Sequence, residues 1–371
     1  MSRYGAAFSE HPDSASAVGE VIGEILDAVG PAPDLVSVFV TSSHRDSSEQ
    51  ILTAIGQALN PSVVIGATAV SVISGSIEIE ERPAISLWAA SECSVQPIRL
   101  QARQRPDGWC IDGLEDEITG TLLLLADPFS FSCDVLLAQN SHLRIVGGLA
   151  SAAGHPGGNR LMLNNSVYTD GAVGVLIESS TQINTVVSQG CRPIGRPFIV
   201  TKSQGNMIFE MGGRSAVQRL RETLLELDEA DRTLVGKGLH MGIVVNEHKS
   251  EFGRGDFLIR SLLGADEKAE VLAVGDSIEV GTTVQFQVRD AATADEDLRT
   301  LMAQARGSSA LLFTCNGRGT HLFVEPNHDA GVVTETLNNA SIAGMFCAGE
   351  IGPIAGQNFL HGFTASVVLF P

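Results

Sequence analysis

One order of segments recurs along this chain and limits what it can fold into: an apolar strand-like run, a polar loop, a helical stretch, a second apolar run and a return strand. It begins with Leu35 to Val40, the loop TSSHRD, a helix opened by Asp46 with Glu49 three residues on, the run SVVIG ending at Gly66, and AISLW from Ala84. It returns as TLLLLA from Thr121, DPFSFS, CDVLLAQN, RIVGG and AVGVLI from Ala172. It returns again as ALLFTC from Ala310, NGRGTH, a helix opened by Asp329, AGMFCAGE and ASVVLF from Ala365. First and return strands start 49, 51 and 55 residues apart. Such alternation predicts an α/β fold: mixed sheets flanked by helices, built from repeated strand-helix-strand-strand units in two domains. Comparable intervals also arise in α/β chains without duplication, so spacing alone leaves both origins open. A degenerate fourth copy, lacking its helix, is expected around Met241, Gly275 and Thr283.

Before the first unit, Val18, Val21, Ile22, Ile25 and Leu26 share one face of a helix that Gly30 and Pro31 end. A boundary is placed before the helix that follows Gly212 and Gly213, giving domains 1–213 and 214–371. At 371 residues, 44% hydrophobic and 18% charged, the chain can bury a large core. Its 24 basic residues against 43 acidic ones give a net charge of -19, which repels phosphate backbones and anionic headgroups. Neither nucleic acid nor membrane is an expected partner. No apolar leader segment or 18-residue uncharged apolar run is present, so a cytoplasmic location is expected. Six scattered cysteines without a C-x-x-C pair argue against a zinc knuckle and for reduced thiols.

Chemistry concentrates near the C-terminus, where three apolar runs end in polar, glycine-flanked groups: LLFTCNGRGTH, MFCAGEIGP and LHGFTASVVLF. If these runs lie side by side, Arg318, Glu350, His361 and Thr364 meet at one rim, at the carboxyl ends of strands, where open α/β sheets bind ligands. Gly317 and Gly319 let backbone amides approach a ligand, and Arg318 offers a planar fork for a carboxylate. Glu350 offers a site for an ammonium group, so the pair suits an amino acid or similar small zwitterion or carboxylate. An Arg318–Glu350 ion pair is the structural alternative. Cys315 is a weaker candidate, a nucleophile with His321 or His361 as base in a hydrolase or transferase. His321 and Glu325 share a face if HLFVE is extended, yet no third metal ligand is identifiable. No Walker A or complete dinucleotide fingerprint occurs, and no cofactor is expected. A protein-interaction adaptor is the third reading.

The ordered set DLVSVFVTSSH, VVIGATA, IVGGLAS, DGAVGVLI and QGCRPIG, followed by FLIRSLLGAD, VQFQVRD, CNGRGTH, MFCAGEIGP and HGFT, resembles paired FIST N and FIST C domains. The resemblance spans roughly residues 30 to 365. It implies an intracellular sensory module for small ligands such as amino acids; eukaryotic members follow an F-box in ubiquitin-ligase receptors. Carried onto this chain, it points to Asn316, Gly317, Arg318, Gly319, Gly349, Glu350 and His361, with Gly66, Gly147 and Gly148 in the first half. A signalling output is then expected through a separate partner protein.

Overall fold

The structure, a computed structural model, describes residues 3–106, 108–115, 118–249 and 251–371. It divides into two compact units, one of residues 1–188 with 298–371 and one of residues 189–297.

All three repeats lie in the first unit. In each, a lead strand runs parallel to a partner strand and antiparallel to a return strand. The lead strands are Leu35–Thr41, Thr121–Ala126 and Ser309–Cys315. Their partners are Val63–Ala69, Arg144–Leu149 and Ser341–Cys347, and the return strands are Ile85–Ala90, Ala172–Ile177 and Thr364–Phe370. Helices Ser48–Leu59, Cys133–Gln139 and His328–Thr336 join each lead strand to its partner. The recurrence seen in the sequence is thus a recurrence of pairing.

A partner strand bonded only to its lead strand leaves one edge of N–H and C=O groups bare, which a buried sheet cannot tolerate. Each repeat inserts a hairpin between its partner and return strands, and each hairpin covers the edge of a different repeat. The first hairpin, Ser71–Ser74 with Ile77–Glu80, pairs with the third partner strand, placing Val72 opposite Met345. The third, Glu350–Ile354 with Gln357–His361, pairs with the second partner strand. The second, Leu161–Leu163 with Ser166–Tyr168, pairs with the first partner strand. The exchange is cyclic and closes the unit.

Period-two alternation then sends one face of every sheet inward and the other outward. The inward faces share a core containing Phe39, Trp88, Leu125, Val175, Phe313 and Phe370. Outward faces are covered separately: the first sheet by Ser14–Ala28 and Ser48–Leu59, the second by Cys133–Gln139, the third by His328–Thr336 and by Leu298 and Met302. Gly66, Gly147 and Gly344 occupy one equivalent position, opposite Val38, Leu124 and Leu312 of the lead strands. A Cβ at these glycines would meet the opposing carbonyl oxygen at 2.4, 2.0 and 1.9 Å respectively.

The second unit corrects the expected fourth repeat. Strands Phe198–Gln204, Met207–Met211, Val271–Val274, Phe257–Asp266, Leu239–Val244 and Thr283–Arg289 pair in that order, all antiparallel, and the last returns to the first. This is a closed barrel around its own core, and among the described residues it contains no parallel lead and partner pair. The sequence boundary at residue 213 falls inside this unit, just before the helix Ala216–Glu226. Among the described residues no helix is long and apolar enough to cross a membrane.

Gly66→Ala, Gly147→Ala and Gly344→Ala are each expected to lower folding stability by more than about 2 kcal/mol in urea denaturation, since backbone must shift. Gly331→Ala, in a helix where the added methyl group would have nothing within 4 Å, should instead be neutral or stabilising by up to about 1 kcal/mol.

Candidate functional site

Polar side chains gather where the third lead strand ends. Arg318 N–H donates to the Cys315 carbonyl at 2.8 Å, Gly319 adopts φ +55°, and the turn Gly319–His321 redirects the chain. This reversal brings Arg318 to the first turn of the helix His328–Thr336, where Nε and Nη2 donate to the two Asp329 carboxylate oxygens at 2.6 and 2.7 Å. Both residues are 0% exposed. Thr314 Oγ1 donates to the same carboxylate at 2.6 Å, and His328 Nδ1 lies 2.9 Å from it. Burial disfavours charge on Asp329, but the Arg318 fork and these bonds hold its carboxyl well below the usual range. Arg318 also lies over the Phe323 ring at 5.3 Å, and Phe323 stacks on His328 at 3.4 Å.

The expectation that the Arg318 fork is open to a ligand carboxylate is therefore corrected. Its Nε and Nη2 edge is already taken by the protein's own Asp329, and Nη1 is left without a hydrogen-bond partner among the described residues. The alternative Arg318–Glu350 ion pair does not form either. Asp329, expected only as a helix opener, is a central member of the cluster; Asn327 holds the N-cap position.

Glu350 opens the third hairpin, opposite Gly148 on one side and His361 on the other. Its Oε2 accepts bonds from Thr364 N at 3.1 Å and Thr364 Oγ1 at 2.9 Å, while Oε1 lacks a partner among the described residues. Burial pushes this acid up to about 8, against the opposing influence of the Thr364 bonds, Arg318 and the nearby Cys315 thiol. At neutral pH Glu350 is mostly uncharged. His361 is held within the hairpin, its Nε2 lying 2.9 Å from the Gly352 carbonyl.

Burial and Glu350 push the Cys315 thiol up to about 12, outweighing the hydrogen bonds that its sulfur accepts from Gly317 N–H at 3.4 Å and from the Phe363 backbone, and the Arg318 charge. An activated nucleophile needs the reverse. His321 sits in the turn, and residues 322–325 are not extended, so the shared strand face expected for His321 and Glu325 is not formed.

The first hairpin supplies two acids, Glu78 and Glu80, that are not among the candidates expected from the sequence. Glu78 Oε1 accepts from Ala330 N–H at 2.9 Å, and burial followed by Asp329 raises its carboxyl to about 7. Glu80 accepts from Thr320 N–H at 3.0 Å and Thr320 Oγ1 at 2.7 Å. A Cβ on Gly319 would meet the Glu80 carboxylate at 2.8 Å. The signal that could have found them is the alternation in IEIE, which puts both acids on one face.

Of the remaining candidates, Asn316 N–H donates to the Cys347 carbonyl at 3.0 Å, and the Gly349 carbonyl accepts from Leu149 N–H at 2.8 Å. A Cβ on Gly148 would meet Cys347 Sγ at 2.4 Å. Gly66 and Gly147 serve the close strand approach described above. Three surface clefts of about 340, 520 and 620 Å³ lie elsewhere. Two of them are equivalent: each lies between the loop entering a partner strand and the tip of the docked hairpin, with Asn358 or Asn164 bonding that strand's backbone. Such grooves follow from hairpin docking.

Two measurements check this electrostatic picture. An acid whose folded pKa lies above its unfolded value of 4.5 keeps its proton while the unfolded chain releases it, so stability falls as pH rises. Glu78 contributes up to about pH 7 and Glu350 up to about pH 8. Between pH 7 and 8 wild-type stability should decline by as much as about 1.4 kcal/mol, and Glu350→Gln should flatten that decline; a wild-type profile already flat there would contradict the assignment. Iodoacetamide at pH 8 should leave Cys315 unmodified until the chain is unfolded, and labelling at a free-thiol rate would reopen the nucleophile reading.

Family models for the FIST N domain and the FIST C domain match residues 34–214 and 216–353. An uncharacterized protein of Mycobacterium bovis is 42% identical over 381 aligned residues, covering 99% of this chain and 98% of that protein. An uncharacterized protein of Mycobacterium tuberculosis is 41% identical over 381 residues, covering 99% of both. The chain belongs to the FIST family, a group of sensory and signal-transduction domains, and carries FIST N followed by FIST C.

Proposed function

We propose that this protein senses a small polar molecule of amino-acid size, bound without covalent chemistry beside the loop Asn316–Gly319 and Glu350. One observation carries the reading: Asn316 Oδ1, Arg318 Nη1, Glu350 Oε1 and Glu78 Oε2 are buried polar atoms without hydrogen-bond partners among the described residues, in residues that surround Arg318, which acts electrostatically on both acids and follows Asn316 by two positions. Buried polar groups are ordinarily satisfied, and leaving one unmet costs about 1 to 3 kcal/mol.

The other repeats show that the fold does not require this arrangement. Thr41, at the position equivalent to Cys315, bonds Ala84 through both N–H and Oγ1. Asp127, the second equivalent, accepts from Phe129 N–H, Ser130 Oγ and Asn159 Nδ2. The second turn meets its acid internally, and in the first only His44 Nε2 is left without a partner among the described residues. Among the described residues, the third repeat alone of the three places a buried arginine and unmatched acids there, which supports a role beyond stability. A ligand would bias the loop between the lead strand and its helix, and a separate signalling protein would read that change.

Thermal-shift titration with amino acids, their amides and short carboxylates tests the reading. A true ligand at 100 times its dissociation constant should add about 2.7 kcal/mol to stability. Glu350→Ala should remove that gain, whereas an unchanged gain would place the ligand elsewhere.

A further inference from the structure

We propose that the ligand group seated beside Glu350 is uncharged: a carboxamide, or a similar planar group that accepts through a carbonyl oxygen and donates through N–H. This rests on the ligand site proposed above and narrows its chemistry.

Arg318 Nη1 can only donate, and Asn316 Oδ1 can only accept. Thr364 donates twice to Glu350 Oε2, at 3.1 and 2.9 Å, so the proton of the neutral acid belongs on the unpartnered Oε1, which becomes a donor. These three atoms, two donors and one acceptor, complement a carbonyl oxygen, with its two lone pairs, joined to an N–H; Glu78 Oε2, on the first hairpin, is the fourth unpartnered atom of the cluster and bears on Arg318, not on Glu350. A carboxylate supplies acceptors alone, and an ammonium supplies donors alone.

Charge points the same way. Arg318 is already balanced by Asp329 through bonds of 2.6 and 2.7 Å, so an entering carboxylate would be an uncompensated buried anion. An ammonium would need an ionised Glu350. The groups bearing on that acid are Arg318 and Cys315 at the end of the lead strand, Cys347 on the partner strand and Thr364 on the return strand, with His361 opposite it in the hairpin. Burial outweighs the two Thr364 bonds, the Arg318 cation and the Cys315 thiol, which all favour ionisation, and keeps the acid protonated up to about pH 8.

The experiment titrates the full chain with propionamide, propionate and β-alanine, following the Gly317 and Thr364 amides by NMR. At pH 6.5 propionamide should bind saturably, at least 10-fold more tightly than either charged probe. Raising the pH to 9 should weaken propionamide by roughly 10-fold as Glu350 ionises. Glu350→Gln keeps a neutral donor and should bind propionamide with no such pH dependence; Asn316→Leu should weaken it at every pH. Tighter binding of propionate or β-alanine, or propionamide affinity unchanged to pH 9, would overturn the uncharged-group assignment while leaving a ligand site. Failure of all three probes to shift either amide would remove the site and this inference together.

Discussion

An unpaired strand edge is the constraint on which this structure turns. Each partner strand is buried and bonded on one side by its own lead strand, so its other side must find N–H and C=O groups elsewhere. The hairpin that follows it in sequence does not supply them; a hairpin from another repeat does. No repeat is complete alone, and each contributes to a shared interior. The last strands of the chain are therefore integral to the sheets built by its first half.

That exchange also assembles the polar cluster. Glu80 and Thr320 meet across 240 positions of sequence, and Glu78 and Ala330 across 252, because the first hairpin docks on the third partner strand. Within the cluster, the Arg318 and Asp329 pair removes two charges from water, a penalty that replacement by apolar side chains would commonly avoid. Its presence here holds the loop Asn316–Gly319 against a helix, beside one guanidinium nitrogen, one amide oxygen and one oxygen each of Glu78 and Glu350 that are unmatched among the described residues. The other two repeats turn at the same point without a buried arginine or an unmatched acid, although His44 Nε2 in the first is also unmatched among the described residues, and this comparison separates what the fold needs from what this site adds.

Parts of the site are legible in the sequence for local reasons. Arg318, Glu350 and Thr364 stand at the ends of apolar runs beside glycines, a pattern visible without coordinates. Asp329 reads only as a helix opener, since an acid in a first turn has that ordinary explanation. Glu78 shows in the sequence only as one acid of the IEIE alternation, which places it on a face with Glu80 but does not name its partner in a different repeat. The role expected of the Arg318 fork is altered by Asp329, eleven residues away, reaching it across a turn.

By itself the amino-acid order determined the lead, partner and return strands and the helices between them, because period-two and 3.6-residue patterns and glycine stops are properties of neighbouring residues. It also placed Gly66 and Gly147 in strands, though not their function of letting two backbones approach. Tertiary structure decided which hairpin covers which edge, that the expected fourth copy is a closed barrel, and which charges are buried. The physical reason is shared: strand pairing and desolvation depend on segments distant in sequence, and backbone hydrogen bonds carry no label for the partner they will meet.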